Sequence, residues 1–201
     1  MVMARSPFRS KALIAAVATV GALALTACSS TPADSPASTS PTTNVLAAKG
    51  LDDLSGKELI ERLDTLPVAE RPDGLVASVR PDEVLISEND GPETSVALPD
   101  DEFYVSVAPY VNRTHDCYFH SLTTCLGELR DQPIRVTATD VADGAVLADL
   151  TSRTYDNGFV GLWLPRGIEA DVVVEYEGRT GRATVGTGPD DPTCVTTIAL
   201  A

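Results

Sequence analysis

The sequence predicts an α+β protein, with a small N-terminal α/β subdomain over residues 50–100 and a predominantly antiparallel β-sandwich over 101–201. Three observations carry this. One capped amphipathic segment opens the region, short apolar-alternating segments fill the rest, and turn residues separate those segments at regular intervals.

The helix is read first. Ser55-Gly56-Lys57-Glu58 fits a capping box, and Leu59, Ile60, Leu63 and Leu66 follow at helical spacing. Pro67 ends that pattern, which places a helix over about 56–66. Strands are expected near 75–79, 83–87 and 94–98, divided by Arg80-Pro81-Asp82 and Asn89-Asp90-Gly91. From Phe103 onward the alternation continues in 103–107, 134–137 and 171–176, with turn signals at Asp143-Gly144, Asp156-Asn157-Gly158 and Glu177-Gly178. Phe159, Leu162, Trp163 and Leu164 are expected in the sandwich core. No Gly-rich loop joins a strand to a helix, which argues against a nucleotide site.

The region before residue 50 reads as targeting sequence. Arg5, Arg9 and Lys11 precede an uncharged apolar run over 12–25, ALIAAVATVGALAL, too short to span a bilayer comfortably. Leu25-Thr26-Ala27-Cys28 has the form of a lipobox. Residues 1–27 are therefore expected to be a lipoprotein signal peptide, and Cys28 the acylated first residue of the mature chain, held at a membrane outside the cytoplasm. Residues 28–49, rich in Ser, Thr, Pro and Ala, are expected to be a disordered tether. About 20 such residues span roughly 25 Å.

Loss of residues 1–27 removes three cations and no anions, so the net charge of -14 becomes -17. Such a chain repels phosphate and holds no basic cluster, which excludes nucleic acid as a partner.

The chemistry concentrates in one place. With Cys28 lipidated, Cys117, Cys125 and Cys194 remain, and the only histidines are His115 and His120. Four of these five lie in the stretch from His115 to Cys125, HDCYFHSLTTC. Thiolates are soft ligands that favour Cu(I) or zinc over hard cations. The C-x₇-C spacing, with a third cysteine far downstream, lacks the close ligand pairs of a structural zinc site. Three thiolates would suit a low-coordinate Cu(I), with His120 and His115 assisting or receiving Cu(II) before its reduction. Zinc stays open as a substitute. Two other arrangements stay open as well: a Cys117–Cys125 disulfide with a redox role, served by a thiol partner, and a disulfide-stapled interaction module without metal. Asp116 is a candidate to orient a histidine from behind. Tyr104, Tyr110, Tyr118, Phe119 and Trp163 are candidates to shield bound metal, although core packing explains them more simply. Thr123-Thr124 and Thr196-Thr197 flank two of the cysteines as candidate donors to sulfur.

The stretches DEFYVSVAPYVNRTHDCYFHSLTTCLGEL (101–129), NGFVGLWLPR (157–166) and GPDDPTCVTTIAL (188–200) resemble the CueP family of extracytoplasmic copper proteins. The family's three metal-site cysteines fall on Cys117, Cys125 and Cys194. The resemblance implies a copper-tolerance role, copper reduction, delivery of copper to a copper/zinc superoxide dismutase, and a homodimer. Stoichiometric copper binding is expected, with turnover as a thiol-dependent Cu(II) reductase using the same cysteines left open.

Overall fold

The computed structural model describes residues 45–201. The expected signal peptide, Cys28 and most of the expected tether lie outside them. The described residues are mostly antiparallel β-structure with little helix, in keeping with the β-rich fold that the sequence predicts. No helix among them is long and apolar enough to cross a membrane.

Residues 45–47, at the end of the expected tether, are helical, and Leu46 is buried among core residues. Val45 and Leu46 are an apolar pair in an otherwise polar stretch, and burying them favours order. The main helix, α1 (Gly56–Asp64), begins at the capping box. The Glu58 N–H donates to Ser55 Oγ, and the Ser55 N–H donates back to the Glu58 carboxylate at 2.8 Å. Leu59, Ile60 and Leu63 face inward, and so does Asp64. The helix stops two residues short of the expected end, at Thr65, as the chain turns toward Pro67.

Strands β1 (Leu75–Val79), β2 (Glu83–Glu88) and β3 (Thr94–Ala97) form an antiparallel sheet in sequence order. Asn89 and Asp90 both take positive φ in the turn between β2 and β3, a conformation these two residue types tolerate. Two further sheets follow. Strand β4 (Glu102–Val107) pairs antiparallel with β7 (Val160–Pro165) and parallel with the short β10 (Cys194–Val195). Strands β5 (Pro133–Asp140), β6 (Val146–Arg153), β8 (Glu169–Tyr176) and β9 (Arg179–Gly186) make the other sheet, in the order β6-β5-β8-β9. These two sheets share a core of Phe103, Val105 and Val107 with Val136, Val172 and Val174.

Side chains alternate along a strand, so β4 and β7 each serve two cores. Leu162 and Leu164 enter the sandwich core as expected. Trp163 does not. With Tyr104 it faces the opposite way, onto the cluster that holds α1 and the first sheet. A residue flanked by two inward leucines must point outward from their core. Phe159 precedes β7 and packs with Ala108 and Cys194 instead.

One loop is strapped between these layers. Residues 108–132 connect β4 to β5, and their middle crosses β1. The Val79 N–H donates to the His120 carbonyl, and the Leu122 N–H to the Ala77 carbonyl, each at 2.8 Å. Leu122 itself is fully buried in the cluster with α1. A Leu122→Ala substitution is expected to cost about 2–5 kcal/mol in urea denaturation, the range for a buried leucine that leaves a cavity.

Candidate metal centre

The loop and β10 bring the predicted residues together. Cys194 opens β10 directly beside Ser106 of β4, and the Thr193 and Cys194 N–H groups both donate to the Tyr118 carbonyl. That docking seats Cys194 against Cys117, and the two sulfurs are joined as a disulfide with a Cα–Cα distance of 5.7 Å. The short Cys117–Cys125 loop considered from sequence is therefore not the pairing. Cys125 is the free thiol, with its sulfur 3.7 Å from that of Cys117. On the other side, Cys194 Sγ lies 3.9 Å from His120 Nδ1. The potential ligand atoms fall into two groups, His115/Cys117/Cys125 and His120/Cys125/Cys194, each with its atoms within 4.8 Å of one another.

His120 is fully buried, and its other ring nitrogen, Nε2, lies 2.9 Å from Asp64 Oδ1. Asp64 is fully buried too. It accepts from Tyr104 Oη at 2.5 Å, from Asn157 Nδ2 at 2.7 Å and from Ser106 Oγ at 3.3 Å. An ionised carboxylate only accepts, so Nε2 carries hydrogen toward it and Nδ1 faces the sulfurs. Burial alone would push His120 down, but the Asp64 charge and hydrogen bond, helped by the Cys125 sulfur, raise it to about 9. For Asp64, burial pushes up while the His120 charge and the surrounding donors hold it below its ordinary value. Burial likewise raises Cys125, and His120 beside it reverses this to a net lowering. A lowered thiol pKa means more thiolate, the form that binds soft metals. The Ser121 N–H also donates to Cys125 Sγ at 3.3 Å.

The orienting acid is thus Asp64, whereas Asp116 is exposed. A signal existed in the sequence. Asp64 follows Ile60 by one helical turn, and an acid on the apolar face of a capped helix needs buried partners. Phe159 was placed in the sandwich core; its ring lies 4.5 Å from His120 and 6.2 Å from His115, centroid to centroid. Tyr118 is half exposed and donates its hydroxyl to the Asp190 carbonyl. Among the threonines next to the cysteines, Thr123 Oγ1 accepts from the Ala77 N–H, Thr124 Oγ1 donates to Ser121 Oγ, and the Thr196 carbonyl accepts from Thr114 Oγ1.

An open pocket of about 480 Å³ leads to Cys125, lined also by His115, Arg113, Leu126 and Glu128. Glu128 closes the base of the loop. Its carboxylate accepts from the Val111, Asn112 and Arg113 N–H groups and from the Asn112 side chain, which pulls it down to about 2.

A family model described as periplasmic copper-binding protein CueP matches residues 58–199. The crystal structure of S.CueP is similar over 82% of this chain and 100% of its own, with 35% identity and a TM-score of 0.77. No curated protein matches this chain.

Two outcomes check the electrostatics. In an Asp64→Asn variant the His120 imidazole, followed by NMR, is expected to titrate well below 9, because burial is then opposed only by the Cys125 sulfur. Glu128, lowered in the folded state, contributes stability in full above its ordinary 4.5 that is lost as pH falls toward about 2. The stability penalty of Glu128→Gln, measured by urea denaturation, should therefore be largest near neutral pH and shrink as the solution is acidified.

Proposed function

This chain belongs to the CueP family of periplasmic copper-binding proteins, and on that premise we propose that it holds Cu(I) through Cys117, Cys125 and Cys194. Copper binding outside the cytoplasm comes with the family; the ligand set and the oxidation state are our reading. One observation supports it above the others. Two cysteines from the loop and one from β10, far apart in sequence, come together with both histidines of the chain in two overlapping groups, of which His120 and Cys194 are buried.

Three thiolates offer the soft, low-coordinate setting that Cu(I) prefers, and zinc competes less well without a fixed tetrahedral set. His120 assists through Nδ1 and His115 from the pocket side. The ligands bind deprotonated, so affinity falls as pH falls. Through a lipid on Cys28 the protein would work at a membrane surface, and the expected tether up to residue 44 would hold the folded part, with its α+β segment and sandwich, clear of the headgroups. The copper serves tolerance, with delivery to a copper/zinc superoxide dismutase as an onward route and a homodimer as the assembly. Those last roles rest on the family resemblance alone.

The disulfide favours a second reading, in which the same cysteines reduce copper. Two Cu(II) ions would each take one electron as the Cys117 and Cys194 thiolates join, giving two Cu(I) and the S–S bond seen here. A partner thiol protein would then restore the dithiol.

The test is an anaerobic Cu(I) titration of the reduced full chain against a chromophoric chelator. Tight binding of one equivalent is expected, lost in the Cys117/Cys125/Cys194→Ser triple variant with its far-UV spectrum unchanged. Equal affinity in the two proteins would overturn the thiolate site.

A further inference from the structure

We propose that the cluster is two copper stations in series, an outer one of His115, Cys117 and Cys125 and an inner one of His120, Cys125 and Cys194. The inference rests on the copper reading above and refines it: the three thiolates serve in succession, two at each station. The donor atoms form two overlapping groups of three, and Cys125 alone belongs to both.

The groups differ in access. His115 and Cys125 line the open pocket, whereas His120 is fully buried and Cys194 is 3% exposed. A second hollow touches Cys117 and Cys194 from the sandwich side, but neither histidine nor Cys125 lines it. Copper arriving through the first pocket therefore meets the outer group before the inner one.

The histidines differ in the same sense. His120 is committed: Nε2 is held by Asp64, which leaves Nδ1 aimed at the inner sulfurs. His115 Nε2 is buried and has no hydrogen-bond partner among the described residues. A buried ring nitrogen without a partner is costly, and a metal ion from the pocket would satisfy it. Phe159 touches both rings and forms the apolar wall that the two stations share.

The disulfide fits this division. It takes Cys117 from the outer group and Cys194 from the inner one, so a single bond disables both stations and its reduction opens both. In the reduced protein Cu(I) is caught by His115, Cys117 and Cys125. Cys125 keeps its hold while Cys194 and His120 replace Cys117 and His115. Only metal–ligand bonds are exchanged, the copper stays Cu(I), and no electron or external reductant is needed.

Stopped-flow transfer of Cu(I) from a chromophoric chelator to the reduced full chain, with equilibrium competition beside it, separates the stations. His115→Ala should slow loading about tenfold and leave the final affinity nearly unchanged. His120→Ala should load at the normal rate and hold copper at least about tenfold more weakly, since losing even a partner behind a ligand costs about ten- to hundredfold. If either alanine variant fails to fold, above all His120→Ala, which takes a partner from the buried Asp64 charge, His115→Asn or His120→Gln repeats the measurement. Equal effects of the two substitutions on rate and affinity, or a normal loading rate without His115, would overturn the two-station arrangement while leaving copper binding standing. Failure of the unmodified chain to bind Cu(I) would instead remove the function on which the inference is built.

Discussion

A single ionised carboxylate organises this molecule. Asp64 has no exposure to solvent, and an uncompensated charge there would cost several kcal/mol. It is tolerable because donors reach it from three separate parts of the chain. Tyr104 and Ser106 come from β4, His120 from the cysteine loop, Asn157 from the turn before β7, and Asp64 itself ends α1. Satisfying the charge therefore fixes the mutual positions of helix, sheet, loop and turn. The imidazole that results is locked in orientation and faces sulfur, so the requirement to bury a charge safely and the requirement to present a ligand are met by one network.

The loop is held by backbone contacts as well as by that charge. Its centre hydrogen-bonds to β1, its N-terminal part closes onto Glu128, and Arg71 donates twice to the Cys125 carbonyl at 3.1 Å. Gly127 and Gly158 cross so closely that a Cβ on Gly158 would come within 2.7 Å of the Gly127 backbone. Gly158 also has a φ of +83°, which a side chain would strain. The segment carrying Cys125 is thereby pinned against the turn that supplies Asn157 and Phe159. Such a frame limits how far the sulfurs can wander when no bond joins them.

Much of this was legible in the residues. The capping box, the strand periodicity and the ligand cluster all depend on neighbours in sequence, and each corresponds to an observed feature. The parts that were not legible depend on partners far along the chain. Strand β10 is two residues long, too short for any periodicity, so its parallel docking on β4 left no pattern to read. The Cys117–Cys194 pairing follows from that docking and was equally hidden. Asp64 was readable in principle as an acid on an apolar helix face, and Trp163 as a residue alternating between two leucines. Asp116 and the flanking threonines drew notice through proximity in sequence, which in a loop says little about proximity in space.

The order in which the site's parts are synthesised has its own consequence. Cys194 lies 77 residues after Cys117, whereas Cys125 follows it by only eight. As the chain emerges on the far side of a membrane, the close pair is present long before the distant partner, and a short loop closes with less entropic loss than a long one. An early oxidant would trap the wrong bond before β10 exists. Correct biogenesis thus depends on delaying oxidation or on reshuffling afterwards, and a chain interrupted before residue 194 can never acquire the native linkage. Among its components, the segment made last acts as the keystone, and a complete centre certifies that translation and export ran past it.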